Sequence, residues 1–344
     1  MTLVKTTVAA LVASVAFAGV SLAADQIHIA GSSTVLPYAK IVAEQFAETY
    51  PDFKAPVVES GGSSAGLKEF CKGAGADTID IANSSRPIKE SEIETCKANG
   101  VTDITEVKIG YDGIVFALDK SAPDFAFQAA DVYKALAAEV VVDGKVVANP
   151  NTNWNQVNAS FADLPIQAFI PGEKHGTREV FEEKVLIAGC KDSGALEEMV
   201  KAGVAEKDAE SKCKAVRKDG KAVDIDGDYT ETLARIDADK KAVGVFGLSF
   251  YENNADKLKV ATIGGVTPTV ETVAKGEYPV SRPLFFYVKK AHLDSVPGLK
   301  EYVEFFTSDQ MIGPDSPLAD YGLIPAPDAE REEIRAGVSA WKSM

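Results

Sequence analysis

The stretch that decides the fold is Ile27-His28-Ile29-Ala30-Gly31-Ser32-Ser33-Thr34-Val35-Leu36-Pro37. Ile27 and Ile29 alternate with their neighbours at the period of a strand, and Gly31 to Thr34 interrupts it with small polar residues. After Pro37, the residues Tyr38, Ile41, Val42, Phe46 and Tyr50 recur at helical spacing. The same order returns as a strand over 56–59, a loop over 61–64 and a helix over 65–72. It returns again as a strand over 166–170, a loop over 171–176 and a helix over 177–186. Strands alternating with helices predict an α/β fold with mainly parallel sheets.

Each of the three units ends its strand in a loop of small residues and opens a helix on Ser or Thr. A helix N-terminus carries unpaired N–H groups and about half a positive charge, so it attracts anions. Glycine lets backbone approach a ligand closely, and hydroxyls add neutral donors. One such loop is ordinary N-capping; three in one chain point to an anion site. No P-loop pattern is present, which argues against a nucleotide.

Outward from these units, the chain has 344 residues with 36 Lys and Arg against 51 Asp and Glu, a formal net charge of −15. That length predicts two domains. The acidic balance argues against binding nucleic acid or an anionic membrane surface. Three His and no Cys pairs at metal spacing argue against a zinc or redox centre, and no cofactor is expected. The segment 191–228, rich in Lys, Asp and Ala, reads as a solvated surface helix followed by a turn.

Residues 1–24 read as a signal peptide: Lys5 precedes an apolar run from Val8 to Val20, and Ser21-Leu22-Ala23 supplies small residues for cleavage. The run is short for a bilayer-spanning helix, so an N-terminal anchor is the lesser reading. The mature chain is expected to start near Ala24 or Asp25, without membrane insertion. Export places Cys71, Cys96, Cys190 and Cys213 in an oxidising compartment, where three connectivities are open. Local pairing, Cys71 with Cys96 and Cys190 with Cys213, is expected because each pair falls in its own half of the chain. Each closure would contribute about 3 kcal/mol in the chain-entropy model.

Six segments resemble the binding segments of periplasmic phosphate-binding proteins of the Pst-type ABC transporter. They are Gly31-Ser-Ser-Thr-Val-Leu-Pro, Glu59-Ser-Gly-Gly-Ser-Ser-Ala-Gly and Ile81-Ala-Asn-Ser-Ser-Arg-Pro-Ile, followed by Pro171-Gly-Glu-Lys-His-Gly-Thr-Arg, Val243-Gly-Val-Phe-Gly-Leu-Ser-Phe-Tyr and Tyr278-Pro-Val-Ser-Arg-Pro-Leu. They occur in order over nearly the whole mature chain. The resemblance implies a type II periplasmic-binding-protein fold, two lobes joined by two crossing strands. On that reading lobe one comprises residues 25–112 and 284–344, and lobe two 113–283. It further implies a monomer in the periplasm that captures inorganic phosphate between its lobes and delivers it to an inner-membrane ABC permease, with no enzyme activity.

The resemblance puts Ser33, Thr34 and Val35 in the first phosphate-contacting turn, Ser63 in the second, and Gly176 with Thr177 in the third. Three positions depart from the family's pattern. Ser85, followed by Arg86, stands where its best-known members have a ligand-facing Asp. His175 replaces their Ser before Gly-Thr, and Pro171 replaces their Arg ahead of that loop. The missing cation is expected from Arg86 or Arg178, with Arg282 as a third option, because a guanidinium can donate paired bonds to two oxygens. The missing carboxylate is expected from Asp112, with Glu59 and Glu173 as other candidates. An ionised carboxylate accepts the proton that phosphate keeps at neutral pH and repels sulfate, which has none.

The residues also admit other readings. Sulfate, molybdate or arsenate is the rival ligand, and a non-transporting structural or adhesive protein is a rival of another class. Gly62-Ser63-Ser64-Ala65-Gly66 matches the nucleophile elbow of serine esterases, with Ser64 as nucleophile and His292 as base, but too few residues precede it for that fold. Asp224-Ile-Asp-Gly-Asp228 lacks the Gly and Glu that a calcium loop needs further on, and reads as a surface turn. Trp154 reads as a packing anchor, and His28 as a surface residue of its strand.

Overall fold

The computed structural model describes residues 25–173, 176–227 and 229–344; the expected signal peptide and His175 lie outside them. Strand β1, His28–Gly31, buries Ile29 and Gly31 and exposes His28. It lies between β2, Val57–Ser60, and β3, Ile81–Ser84, in a parallel trio. Helix α1, Leu36–Thr49, covers the trio with Tyr38, Ala39, Val42, Ala43 and Phe46, one stripe at helical spacing. The Phe46 ring meets Tyr302 edge-on at 5.4 Å. Burial and ring contact of that kind make such a side chain worth about 3–5 kcal/mol when truncated to Ala.

Helix α2, Ser63–Phe70, packs unusually close to β1. A Cβ at Gly66 would stand 2.4 Å from the Gly31 Cα, and one at Gly31 would stand 2.1 Å from the Asn83 carbonyl oxygen. Gly31 in the first loop and Gly66 in α2 are therefore there for contact between backbones. Cys71, just after α2, is disulfide-bonded to Cys96 in α3, Glu90–Ala98.

The next strand joins the halves of the molecule. β4 runs for 16 residues, Ile104–Asp119, and is continuously buried from Ile109 to Leu118. It pairs antiparallel with the strand Ser281–Lys289, setting Arg282 opposite Asp112. The far half of β4 pairs antiparallel with Val243–Gly247, which continues in parallel to Ala168–Pro171 and then Ala222–Ile225. The sheet is thus mixed and not mainly parallel: two parallel trios flank an antiparallel centre. Antiparallel pairing is what lets β4 and Ser281–Lys289 run past each other between the halves.

Two large cores follow. One gathers Ile29, Val42, Phe46, Ile109, Leu284, Phe286, Tyr302 and Leu318. The other gathers Val115, Phe116, Phe127, Trp154, Phe181, Val245 and Phe246. Trp154 sits there with Phe125, Phe127 and Phe161 around it. Ile324 and Ala326, from the C-terminal segment, also pack into this second core. Ile324 exchanges backbone hydrogen bonds with Tyr111, so the chain touches the crossing region a third time.

The helical segment after Pro171 begins with Gly176–Val180, continues as a π-helix over Phe181–Ile187 and ends with Ala188–Asp192. Cys190 in its last turn is disulfide-bonded to Cys213. The stretch expected to be one helix and a turn instead holds helices Ala195–Lys201 and Glu206–Cys213 and the strand Ala222–Ile225. Val223 and Ile225 supply apolar anchors that composition alone obscured. Among the described residues no helix is long and apolar enough to cross a membrane.

Candidate functional site

The first wall of the site is built by the turn between β1 and α1. The Ser32 hydroxyl accepts from the backbone N–H groups of Thr34 and Val35 at 3.2 and 3.4 Å, which folds the turn tightly over the helix end. Beside it, the Ser63 hydroxyl accepts from the Ser85 N–H at 3.1 Å and lies 3.2 Å from the Ser85 hydroxyl. Ser63 and Ser85 line a cavity of about 540 Å³ together with Gly62, Ser64 and Arg86, whereas the Thr34 turn does not line it and is joined to it through Arg282 and Glu179. Facing them are Glu179, Glu183 and Lys184 from the helical segment, and the floor is Ser281, Arg282 and Pro283 of the crossing strand.

Arg282 is the hub. Its guanidinium is only 6% exposed. One Nη donates to the Thr34 hydroxyl at 2.7 Å and to Glu179 at 3.2 Å, while the other donates to Glu183 at 3.1 Å. Its Nε lies 3.7 Å from Asp112, too long for a hydrogen bond. Both Asp112 oxygens and this Nε are buried without a hydrogen-bond partner among the described residues. Burial lifts the Asp112 carboxyl to about 6; Arg282 opposes the rise and Glu179 adds to it. Burial also raises the Tyr38 and Tyr229 hydroxyls, and the Asp112 charge raises both further. Tyr229 in turn lies 3.1 Å from the Thr177 hydroxyl. Asp112 therefore sits at the bottom of the crossing, within the electrostatic reach of two tyrosines, one arginine and one glutamate.

The other arginines are occupied. Arg86 lines the cavity but holds Glu92 with two bonds of 2.9 and 2.7 Å and reaches the Ser64 hydroxyl at 2.9 Å. Arg178 is buried away from the cavity against Glu182, Asp224 and the Pro171 carbonyl, all in its own half. Its Nε and one Nη are held by these partners, so it stands as an internal ion pair. Glu59 and Glu173 are both exposed, and neither lines the cavity. Gly176 opens the helical segment and Thr177 is buried in its first turn.

Sequence reasoning passed over Glu179 and Glu183 and ranked Arg282 last. The signal was present: Glu179 and Glu183 are four residues apart behind Gly-Thr-Arg, hence on one helix face, and Arg282 stands on a strand predicted to cross. The residues of the esterase reading are not a pair. Ser64 bonds Arg86, whereas His292 is buried against Asp80 at 2.6 Å. Asp224 is neutralised by Arg178 and Lys218, which fits an ion pair and not a calcium ligand. Among the described residues no cluster could hold a metal ion.

Comparison with known proteins agrees with this arrangement. Residues 18–310 match the family model described as a PBP superfamily domain. The phosphate-binding protein PstS of Staphylococcus haemolyticus is 30% identical over 305 residues, 87% of this chain and 80% of the relative. The chain belongs to the PstS family of the PBP superfamily. Protein SphX of Synechococcus elongatus is 31% identical over 303 residues, 86% of this chain and 76% of its own. Among solved structures, a possible phosphate-binding protein from Planctomyces limnophilus superposes with a TM-score of 0.69 and 27% identity, covering 92% of this chain and 99% of that one. An ABC-type phosphate transport receptor from Vibrio cholerae shares the fold, with a TM-score of 0.55 at 20% identity over 88% of this chain and all of that one. The PstS family's two-lobed PBP fold accounts for the paired cores and for the strands that cross between them.

Proposed function

We propose that this chain captures inorganic phosphate between its lobes and delivers it to an ABC permease. The observation that carries the reading is Arg282: a buried guanidinium on a crossing strand, bonded to the Thr34 hydroxyl at the mouth of a helix N-terminus. Ser33, Thr34 and Val35 from the first turn, Ser63 and Ser85 from the second and third, and Gly176 with Thr177 from the opposite lobe would supply neutral donors. Charge-assisted bonds contribute about 1.5–3 kcal/mol each and micromolar binding needs about 8 kcal/mol, so one guanidinium and a few such donors are enough.

Asp112 takes the acceptor role in this reading. Its oxygens are buried and unpartnered, so a ligand that brings a proton gains a bond, while one that brings none meets an uncompensated charge. Phosphate and arsenate carry that proton at neutral pH and sulfate does not. Lobe one would be residues 25–112 and 284–344 and lobe two 113–283, with closure about the crossing strands as the signal that the permease reads. Removal of residues 1–24 would release the chain, as a monomer, into the periplasm.

Calorimetric titration with phosphate, arsenate and sulfate tests the assignment. Phosphate should bind at micromolar concentration or below, arsenate should compete, and sulfate should not. No heat with phosphate would refute it.

A further inference from the structure

Glu179 stands in an unusual place. It belongs to the lobe-two helical segment, yet its Oε2 accepts from the Ser33 hydroxyl at 3.3 Å, the Thr34 hydroxyl at 2.6 Å and an Arg282 Nη at 3.2 Å. Two of these donors lie on lobe one and the third on the crossing strand. A carboxylate oxygen here stands in for an oxygen of an anionic ligand, since both are acceptors with the same charge sign.

We propose that Glu179 is an intramolecular competitor for the anion site, which phosphate must displace to bind; this rests on the phosphate reading above. The charge count supports displacement over coexistence. Of the cavity's cations, Arg86 is held by Glu92 and Arg282 already faces Glu179, Glu183 and Asp112, which leaves Lys184 as the remaining one. A phosphate dianion added beside all three carboxylates would meet strong repulsion in a poorly solvated cleft. Exposure decides which groups leave. The Glu179 and Glu183 side chains are 37% and 51% exposed and can turn to water, whereas Asp112 at 1% cannot. Asp112 stays as the acceptor, and Glu179 exchanges with the ligand.

The contact also ties the lobes together, because Glu179 bridges lobe two to Ser33 and Thr34 of lobe one. Phosphate-free protein should therefore spend much of its time closed, and its apparent affinity is reduced by the fraction of molecules in which Glu179 holds the donors. Glu179→Ala removes the competitor and the tie. Phosphate should then bind about tenfold more tightly by calorimetry, as expected for a competitor that holds the donors most of the time. Glu179→Gln, which keeps an acceptor without the charge, should fall between the two.

A second measurement separates this proposal from the phosphate assignment. Solution scattering without phosphate should show Glu179→Ala more extended than the wild type. With saturating phosphate the two should coincide. An unchanged or weaker phosphate affinity in Glu179→Ala would overturn the competitor role and make Glu179 a bystander or a direct ligand contact. Equal compactness without phosphate would overturn the tie. If the wild type gives no heat with phosphate, the assignment itself fails, and the scattering comparison still decides whether Glu179 holds the lobes together.

Discussion

The two walls of the cleft use different chemistry. On lobe one the groups proposed to meet the ligand are hydroxyls and backbone N–H groups, fixed by bonds within the lobe: Ser32 gathers Thr34 and Val35, and Ser63 gathers Ser85. On lobe two the same space is met by Glu179 and Glu183, two partly exposed carboxylates on long side chains. On the first wall the one charge, Arg86, is bonded to Glu92, which leaves hydroxyls and N–H groups held in place; the second wall is charged and partly exposed. Between them, Arg282 on the crossing strand touches both walls. On the phosphate reading proposed above, such a division would let the first wall set the shape of the anion site while the second controls when it is available.

Arg282 gives the largest effect, since both walls depend on it. Arg282→Ala leaves Asp112 buried beside Glu179 and Glu183 with no cation, and losing one partner of a buried pair costs about 3–5 kcal/mol. Phosphate affinity should fall by 100-fold or more in a titration on the order given by that cost. Arg282→Lys should recover only part of it, because an ammonium cannot span Thr34 and Glu183 at once. A larger loss for Arg86→Ala than for Arg282→Ala would move the cation to the lobe-one wall and break the comparison.

Asp112 gives the next effect, and it can be read twice. An unpaired-acceptor penalty of about 1–3 kcal/mol separates sulfate from phosphate, so Asp112→Asn should lower the phosphate-to-sulfate affinity ratio about tenfold or more. An unchanged ratio would return Asp112 to a purely structural role. The second reading is stability against pH. Burial raises this carboxyl from an ordinary 3.8 to about 6, so the folded protein binds its proton more tightly than the unfolded chain. The stabilisation is fully present below pH 3.8 and is lost as pH rises through about 6. Its size is about 3 kcal/mol at two pKa units. Denaturant unfolding between pH 4 and 7 should show that slope in the wild type and less of it in Asp112→Asn.

These two residues also mark where the sequence was legible. The β1 turn could be read because strand period, small residues and helix period follow one another over 24 residues, from Ile27 to Tyr50. β4 could not be read as one strand: from Ile109 to Leu118 every residue is buried, so no alternation reports its faces. The π-helical winding of Phe181–Ile187 leaves the sequence looking like an ordinary helix. The choice among arginines was hidden for another reason. Arg178 and Arg282 each follow a hydroxyl residue, Thr177 and Ser281, and only partners brought from afar distinguish them, Asp224 for the first and Thr34 for the second. The position of Arg282 near the crossing was legible only through the family resemblance, and the sequence reading still placed it behind Arg86 and Arg178.

The stiffness of the lobe-one wall can be tested at the seat of α2. At Gly66 a methyl group would meet the Gly31 backbone at 2.4 Å, where no flexible side chain can give way. Gly66→Ala should destabilise by about 1–3 kcal/mol, the usual cost of overpacking, and should show it as a lower denaturant midpoint. The same shift would push Ser63 away from Ser85, so phosphate affinity should drop with it. Full affinity in a protein of reduced stability would show that the wall tolerates movement and is less stiff than its hydrogen bonds suggest.

The smallest effect separates neighbours on the same wall. Ser63 holds the Ser85 N–H, and removing its hydroxyl leaves that buried donor without its partner. Ser63→Ala should cost about 1 kcal/mol of phosphate binding, roughly fivefold. Ser64 is exposed, and its hydroxyl only accepts from Arg86, which keeps both bonds to Glu92 without it. Ser64→Ala should leave affinity within about twofold, as exposed hydrogen bonds contribute little. If the order reverses, the donor set follows Arg86 rather than the Ser63–Ser85 pair. A serine-reactive fluorophosphonate belongs in the same experiment. With Ser64 bonded to an arginine and His292 buried against Asp80, no histidine among the described residues pairs with the hydroxyl, so neither variant nor wild type should label.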